Sequence, residues 1–344
     1  MKFDFVIGNP PYQDNALGEN ATYAPPVYNV FMDAAYEVSD KVELIHPARF
    51  LFNAGSTPKA WNQKMLNDEH FKVMLYEEDA SKIFPNTEIK GGVAITYHDT
   101  GKCFGAIETF TPHSEMASIM KKITGAADFD SISNIVFSAY SNKFTGQLHK
   151  ENPNVLGKMS KGHAFDLKSN VFEKIPEIFL DNIPDNPQKY YKFLGLIKNQ
   201  RVYRYINSTY IEGTENLKQY KIFMSAANGS GAMGETLSSP VIGEPFTGAT
   251  ESFISIGSFC TYSEAEALMK YVKTKFSRVL LGILKKTQHI TPDKWKYVPL
   301  QDFTPASDID WSQSVANIDK QLYKKYNLSK EEIDFIERNV KEME

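Results

Sequence analysis

The residues with the most specific chemistry in this sequence are Asn9, Pro10, Pro11 and Tyr12, within the stretch VIGNPPYQ. An exocyclic amine on an aromatic ring, such as that of adenine, is a poor nucleophile because its nitrogen lone pair is delocalised into the ring. It reacts only if both of its protons find acceptors that draw the nitrogen toward tetrahedral geometry. The side-chain amide oxygen of Asn9 offers one acceptor and the backbone carbonyl of Pro10 the other. Two consecutive prolines hold the loop in one shape so that both acceptors point the same way, and Tyr12 offers a ring on which a base can stack. A base inside a duplex cannot reach such a loop. The chemistry therefore requires the base to turn out into a pocket where aromatic side chains replace the lost stacking. It needs neither a metal nor a covalent enzyme intermediate if the group to be transferred is already activated.

Such a loop needs a rigid mount. Residues 3–7, a short β-branched and aromatic run ended by Gly8, predict a buried parallel strand with the tetrapeptide at its carboxyl end. From 27 to 38, Tyr28, Phe31, Met32, Ala35 and Tyr36 recur at helical spacing. Residues 41–45 predict a second strand closed by His46-Pro47, 58–67 a helix, and 71–76 and 92–97 two further strands. Together these make a doubly wound α/β pattern whose last two strands form an antiparallel pair. From about Thr111 the pattern changes to short strands, glycine-rich turns (226–235) and one amphipathic helix over 263–286. The end is helical, with Ser329 and Glu332 spaced as a capping box. Three regions are expected: an α/β part over 1–110, an α+β part over 111–300 and a helical segment over 301–344.

With 344 residues, 42% of them hydrophobic and 23% charged, the chain is long enough for two globular domains. It has neither a secretory signal pattern nor an apolar run of about 18 residues, which points to the cytoplasm and away from membranes. Cys103 and Cys260 lie too far apart for a metal-ligand spacing and are expected as buried free thiols. The net charge of −4 divides unevenly: residues 1–150 carry 13 Lys+Arg against 18 Asp+Glu, the remainder 25 against 24. Residues 188–205 contain Lys189, Lys192, Lys198, Arg201 and Arg204 and no carboxylate, and 270–296 hold eight basic residues against Asp293. Either cluster could follow a phosphate backbone or form a solvated helix face.

VIGNPPYQ at a strand end resembles the fourth motif of adenine-N6 DNA methyltransferases, Asn/Asp/Ser-Pro-Pro-Tyr/Phe/Trp. KVELIHPARFLFNAG (41–55) resembles the family's sixth-motif strand and loop, and EEDASKIFPNTEIKGGVAITY (77–97) the eighth-motif region of the γ-class enzymes and of fused restriction-modification proteins. The resemblance implies a partial Rossmann-like methyltransferase sheet, double-stranded DNA as substrate, S-adenosylmethionine as methyl donor, and Phe84 packed with Tyr12 on the flipped adenine. ANGSGAMGE (227–235) and KKTQHITPDKWKYVPLQDF (285–303) are similar to target-recognition regions of the same fused enzymes, which implies that Lys285, Lys286, Gln288 and His289 lie near DNA.

The family's donor-binding half, a strand with a glycine-rich turn and an acidic ribose ligand, normally precedes the fourth motif. Here the motif stands at residue 9, so only Asn9 is expected at the edge of a donor site. The rest of that site is expected on a second chain, or the chain is a fragment whose exposed sheet edge self-associates. Two other readings share parts of the pattern. A non-catalytic DNA-binding or specificity subunit would keep every basic and aromatic feature. A metal-dependent restriction nuclease would use Asp79 with Glu88-Ile89-Lys90.

Overall fold

A computed structural model describes residues 2–14, 24–87, 89, 91–182, 185–229 and 231–343. The chain divides into two compact units, Met1–His113 and Ser114–Glu344.

The first unit contains β1 (Val6–Gly8), α1 (Tyr28–Val38), β2 (Lys41–Pro47), α2 (Lys59–Leu66), β3 (Phe71–Glu77) and β4 (Val93–Asp99). Its sheet has the order β1-β2-β4-β3. β1 runs parallel to β2, with α1 as the crossover, whereas β4 is antiparallel to both β2 and β3. In β2, Val42, Leu44 and His46 are buried while Glu43 is exposed, the alternation of a sheet covered on one face. Tyr28 and Met32 of α1 and Trp61 and Met65 of α2 share one core cluster with Val42, Leu44, Phe50 and Phe71. Both helices therefore lie on that face. The expected doubly wound arrangement, with helices on two faces, is not what this unit has by itself. Nor is the first strand buried: β1 is an edge strand, and Phe3, Phe5 and Ile7 are 52%, 60% and 78% exposed.

The second unit begins with α3 (Ser114–Thr124), β5 (Val136–Phe137), β6 (Lys143–Phe144) and the short helices α4 (Gly146–Glu151), α5 (Pro153–Lys158) and α6 (Val171–Lys174). A hairpin of β7 (Tyr190–Ile197) and β8 (Gln200–Asn207) follows, then β9 (Ile211–Glu212), β10 (Tyr220–Ser225), β11 (Val241–Gly243), β12 (Thr247–Ala249) and β13 (Phe253–Phe259). α7 (Tyr262–Lys273), α8 (Lys275–Leu284), α9 (Val315–Lys325) and α10 (Lys330–Asn339) complete it. The larger sheets have the orders β11-β10-β13-β5 and β12-β7-β8. The main core packs Ile222 and Ile254 of the first sheet against Leu268, Tyr271, Phe276 and Leu280 of α7 and α8. Ile318, Leu322 and Ile336 of α9 and α10 enter the same core, so residues 301–344 belong to this unit and are not a separate segment. The capping box of Ser329 and Glu332 is formed.

The single helix expected over 263–286 is two. Thr274 is extended (φ −57°, ψ 148°), and its hydroxyl accepts from Ser277 N. The carboxylate of Asp319 in α9 accepts the backbone N–H groups of Lys275 (3.0 Å) and Phe276 (2.9 Å). These acceptors satisfy donors that a new helix start leaves unpaired, which stabilises the break. Cys103 and Cys260 are free but exposed rather than buried. Among the described residues no helix is long and apolar enough to cross a membrane.

Candidate functional site

In the first unit the tetrapeptide leaves the sheet directly after Gly8, which pairs with Leu44. Asn9 is exposed, and among the described residues its side chain has no hydrogen-bond partner, so its amide is available to a ligand. The segment beyond is tied to the start of α1: Val27 N donates to Tyr12 O (3.2 Å) and Asp14 N to Pro25 O (2.9 Å). This anchorage half-buries the Tyr12 ring. Burial raises the pKa of its phenol, and its hydroxyl is enclosed with no partner among the described residues. Phe84 meets Tyr12 edge to face, with ring centroids 6.5 Å apart and planes at 69°.

Local structure holds Phe84 in place. The Asp79 carboxylate caps the turn Ala80–Lys82, accepting from Ser81 N (3.1 Å) and Ser81 Oγ (2.6 Å), and Phe84 N donates to Ala80 O (2.8 Å). Asp79 is thereby committed to a turn, with its pKa lowered first by the Ser81 hydroxyl. Its nuclease partners Glu88 and Lys90 lie outside the described residues.

Sequence reasoning missed a buried histidine in β2. His46 is fully buried. Its Nε2 lies 2.7 Å from Thr96 Oγ1 and its Nδ1 3.2 Å from Pro47 O, and its ring stacks on Tyr28 at 5.8 Å. Desolvation pushes its pKa down to about 4, so the imidazole is neutral at pH 7. A histidine in register with the apolar Val42 and Leu44 of the same strand was the available signal. Just beyond, Ala48 N donates to Gly92 O (3.0 Å), joining the loop after β2 to the turn before β4. Gly92 has φ +77°, and a Cβ there would lie 2.3 Å from Glu77 O.

In the second unit the five basic residues of 188–205 do not form one patch. Lys189 and Lys198 stand at opposite ends of β7, roughly 25–30 Å apart at the usual rise of a strand. Lys192 Nζ sits 4.4 Å over the Tyr203 ring. Arg204 Nε is held by Asp181 (2.7 Å) and its Nη1 by Tyr203 O (2.9 Å). Lys198 and Arg201 are exposed at the hairpin's turn.

Lys285, expected near DNA, is instead 3% exposed, its Nζ bonded to the Glu235 carboxylate and to Asn228 O. It fastens the glycine-rich turn. Lys286 is half-buried and donates to Gly282 O (2.9 Å), whereas Gln288 and His289 are exposed. His289 lines a cavity of about 410 Å³ together with Tyr140, Leu196, Glu251, Ser252 and Ile290. Leu196 stands opposite Arg201 in the hairpin register. Leu196, next to the hairpin's turn end, and His289, distant in sequence, therefore line one cavity.

The glycine-rich turn is filled by the protein itself. A Cβ at Gly231 would lie 2.3 Å from Thr287 N, and the turn links β10 to β11, not a strand to a helix. Among the described residues no group of three or more His, Cys, Asp or Glu side chains is placed to hold a metal ion.

Residues 1–84 match the Eco57I restriction-modification methylase family. An uncharacterized adenine-specific methylase from Mycoplasma pneumoniae is 33% identical over 95 residues, which is 27% of this chain and 22% of that protein. Among solved structures, the type IIG restriction endonuclease BpuSI superposes at a TM-score of 0.35 and 10% identity over 98% of this chain and 54% of its own. The type IIL restriction-modification enzyme MmeI in complex with DNA gives 0.39 and 9% over 98% and 56%. The chain thus spans about half the length of these two structures and less than a quarter of the methylase relative. The match to the restriction-modification methylase family covers the stretch that bears the tetrapeptide: residues 1–84 are similar to the Eco57I restriction-modification methylases.

Proposed function

We propose that this chain is the base-holding and DNA-reading part of a site-specific DNA adenine-N6 methyltransferase of a restriction-modification system. The observation that carries the reading is the meeting of Tyr12 and Phe84 beside the unpartnered Asn9 at the end of β1. A base turned out of its helix would stack against these rings. Asn9 Oδ1 and the Pro10 carbonyl would accept its two amine protons, localising the nitrogen lone pair for attack. The enclosed Tyr12 hydroxyl, lacking a protein partner, is available to the ligand.

The described residues do not fit the methyl donor, S-adenosylmethionine. At the described glycines 229, 231 and 234 the turn is closed by Glu235, Thr287 and Asn339, and the reading leaves Asn9 at the edge of the donor site. The reading therefore assigns donor binding to a second segment, on another chain or elsewhere in a longer one. That segment would extend the sheet at β1, where Phe3, Phe5 and Ile7 of the edge and Val30 and Phe31 of α1 are exposed. A specificity subunit without transfer activity is the second reading, favoured by the same misfit of the described residues to the donor.

Tritiated methyl transfer from S-adenosylmethionine to unmethylated plasmid DNA separates the two, measured for the chain alone and paired with a donor-binding methyltransferase segment supplied as a second polypeptide. The methylase reading expects incorporation on adenine N6 by the pair and at least a hundredfold loss with Asn9→Ala. Equal rates for Asn9→Ala and the parent pair would refute the catalytic assignment. DNA binding by the pair without any incorporation would support the specificity subunit.

A further inference from the structure

We infer that the β7–β8 hairpin is the base-reading element of the second unit: its turn end enters the major groove of duplex DNA, with Gln200 and Arg201 against base edges and Lys198 against phosphate. The inference rests on the proposed reading of DNA as the substrate.

The hairpin is stiff up to its tip. Ile197 and Gln200 are the last paired residues, and the two between them, Lys198 (φ 48°) and Asn199 (φ 63°), are both left-handed. This is the two-residue turn whose twist matches that of the strands it joins. Turn chemistry alone accounts for Asn199, which adopts this conformation readily. It does not account for its neighbours. Lys198, Gln200 and Arg201 are exposed, and among the described residues none has a side-chain hydrogen bond or an ion pair. The hairpin's deeper cations are engaged, Lys192 over Tyr203 and Arg204 with Asp181. No carboxylate occurs in sequence from 186 to 211, so nothing on the ribbon itself neutralises its end.

Arg201 is steered rather than loose, since its guanidinium carbon lies 5.7 Å from the centre of the Phe253 ring. A pre-oriented guanidinium suits the paired acceptors of guanine, and a glutamine amide suits the acceptor and donor of adenine. A two-stranded ribbon fits a major groove about 12 Å wide, and the exposed His289 lines the same cavity as Leu196, which stands opposite Arg201 in the hairpin.

The test is selection from a randomised duplex library by the full chain, followed by sequencing of the retained DNA, for the parent protein and for Lys198→Ala, Gln200→Ala and Arg201→Ala. The parent is expected to enrich a motif. Gln200→Ala and Arg201→Ala should each lose about 5- to 150-fold of discrimination at one base pair and leave the other positions intact. Lys198→Ala should keep the whole motif while weakening all sequences alike and lowering the slope of log affinity against log salt by about 1. A motif retained at full strength by both Gln200→Ala and Arg201→Ala overturns the hairpin's role and leaves DNA as substrate. Binding of duplex DNA by the parent without any motif also overturns it. If the parent retains no duplex DNA, the underlying reading of the second unit falls as well.

Discussion

Tyr12 and Phe84 come from the two ends of the segment that matches the methylase family, yet their rings touch edge to face at 6.5 Å. Neither is fully buried, and the pair is worth only about 0.5–1.5 kcal/mol to the fold. On the proposed reading its value lies in the ring faces it leaves open to a base, where stacking is worth about 1–3 kcal/mol per base. Phe84→Ala should therefore slow methyl transfer by roughly 5- to 150-fold with little change in melting temperature. Tyr12→Phe removes an enclosed hydroxyl that has no protein partner, so thermal stability should hold or rise by up to about 1 kcal/mol. A fall in transfer without a fall in stability would place that hydroxyl on the ligand. Full-rate transfer by Phe84→Ala would remove the ring from the site.

Local signals made much of the first unit legible. The spacing of Tyr28, Met32, Ala35 and Tyr36 predicts α1 to within a residue, and the apolar runs locate β2, β3 and β4. Hidden were the features set by distant residues. Which faces of β1 are covered depends on what stands beside it, and a run such as 3–7 looks the same at an edge as in the middle of a sheet. The break at Thr274 depends on Asp319 from another helix, so a continuous apolar face hid it. Lys285 is indistinguishable in sequence from a free lysine because Glu235 arrives on a different loop. The tetrapeptide was legible because its chemistry sits in four adjacent residues. The contact of His46 with Thr96, by contrast, joins two strands.

The two units should respond to pH in opposite directions. His46 has its pKa lowered from 6.5 to about 4 by burial, so the unfolded chain takes up a proton first as pH falls. Stability from this group is full above 6.5 and is lost as pH drops toward 4, by about 3 kcal/mol. Asp319 has its pKa raised from 3.8 to about 6, again by burial, so the folded state holds the proton more tightly. Its contribution falls as pH rises from 3.8 through 6, also by about 3 kcal/mol. Hydrogen exchange corrected for intrinsic rate should show β2 protection weakening in acid and α8 protection weakening toward neutrality. His46→Gln should flatten the first trend and Asp319→Asn the second. The same trend in both units would contradict these assignments.

Lys285→Ala should act on stability and not on DNA. The lysine is buried against the Glu235 carboxylate, and removing one partner of a buried pair typically costs about 3–5 kcal/mol because the other charge loses its counter-ion. Urea denaturation should register that loss. Affinity for duplex DNA, measured below the variant's transition, should keep the salt slope of the parent. A slope lower by about 1 with unchanged stability would instead return Lys285 to the phosphate contacts.

Gly92 is the point at which the loops carrying the site are locked together. Its carbonyl accepts Ala48 N–H, its φ of +77° disfavours any side chain, and a Cβ would press to 2.3 Å from the backbone oxygen of Glu77. Left-handed strain alone costs about 1–3 kcal/mol in a non-glycine residue, and a contact this close also forces the backbone to move. Gly92→Ala should thus lose more than about 2 kcal/mol of stability, at the high end of that range. The shift would pass to both connected segments, so exchange should speed up over residues 47–53 and 78–84 while the α9 and α10 peptides of the second unit stay as protected as before. Since Phe84 lies in the second of those segments, transfer should fall by more than the loss of folded protein explains. An alanine tolerated at Gly92 without change in exchange would mean that the loops position Phe84 independently of each other.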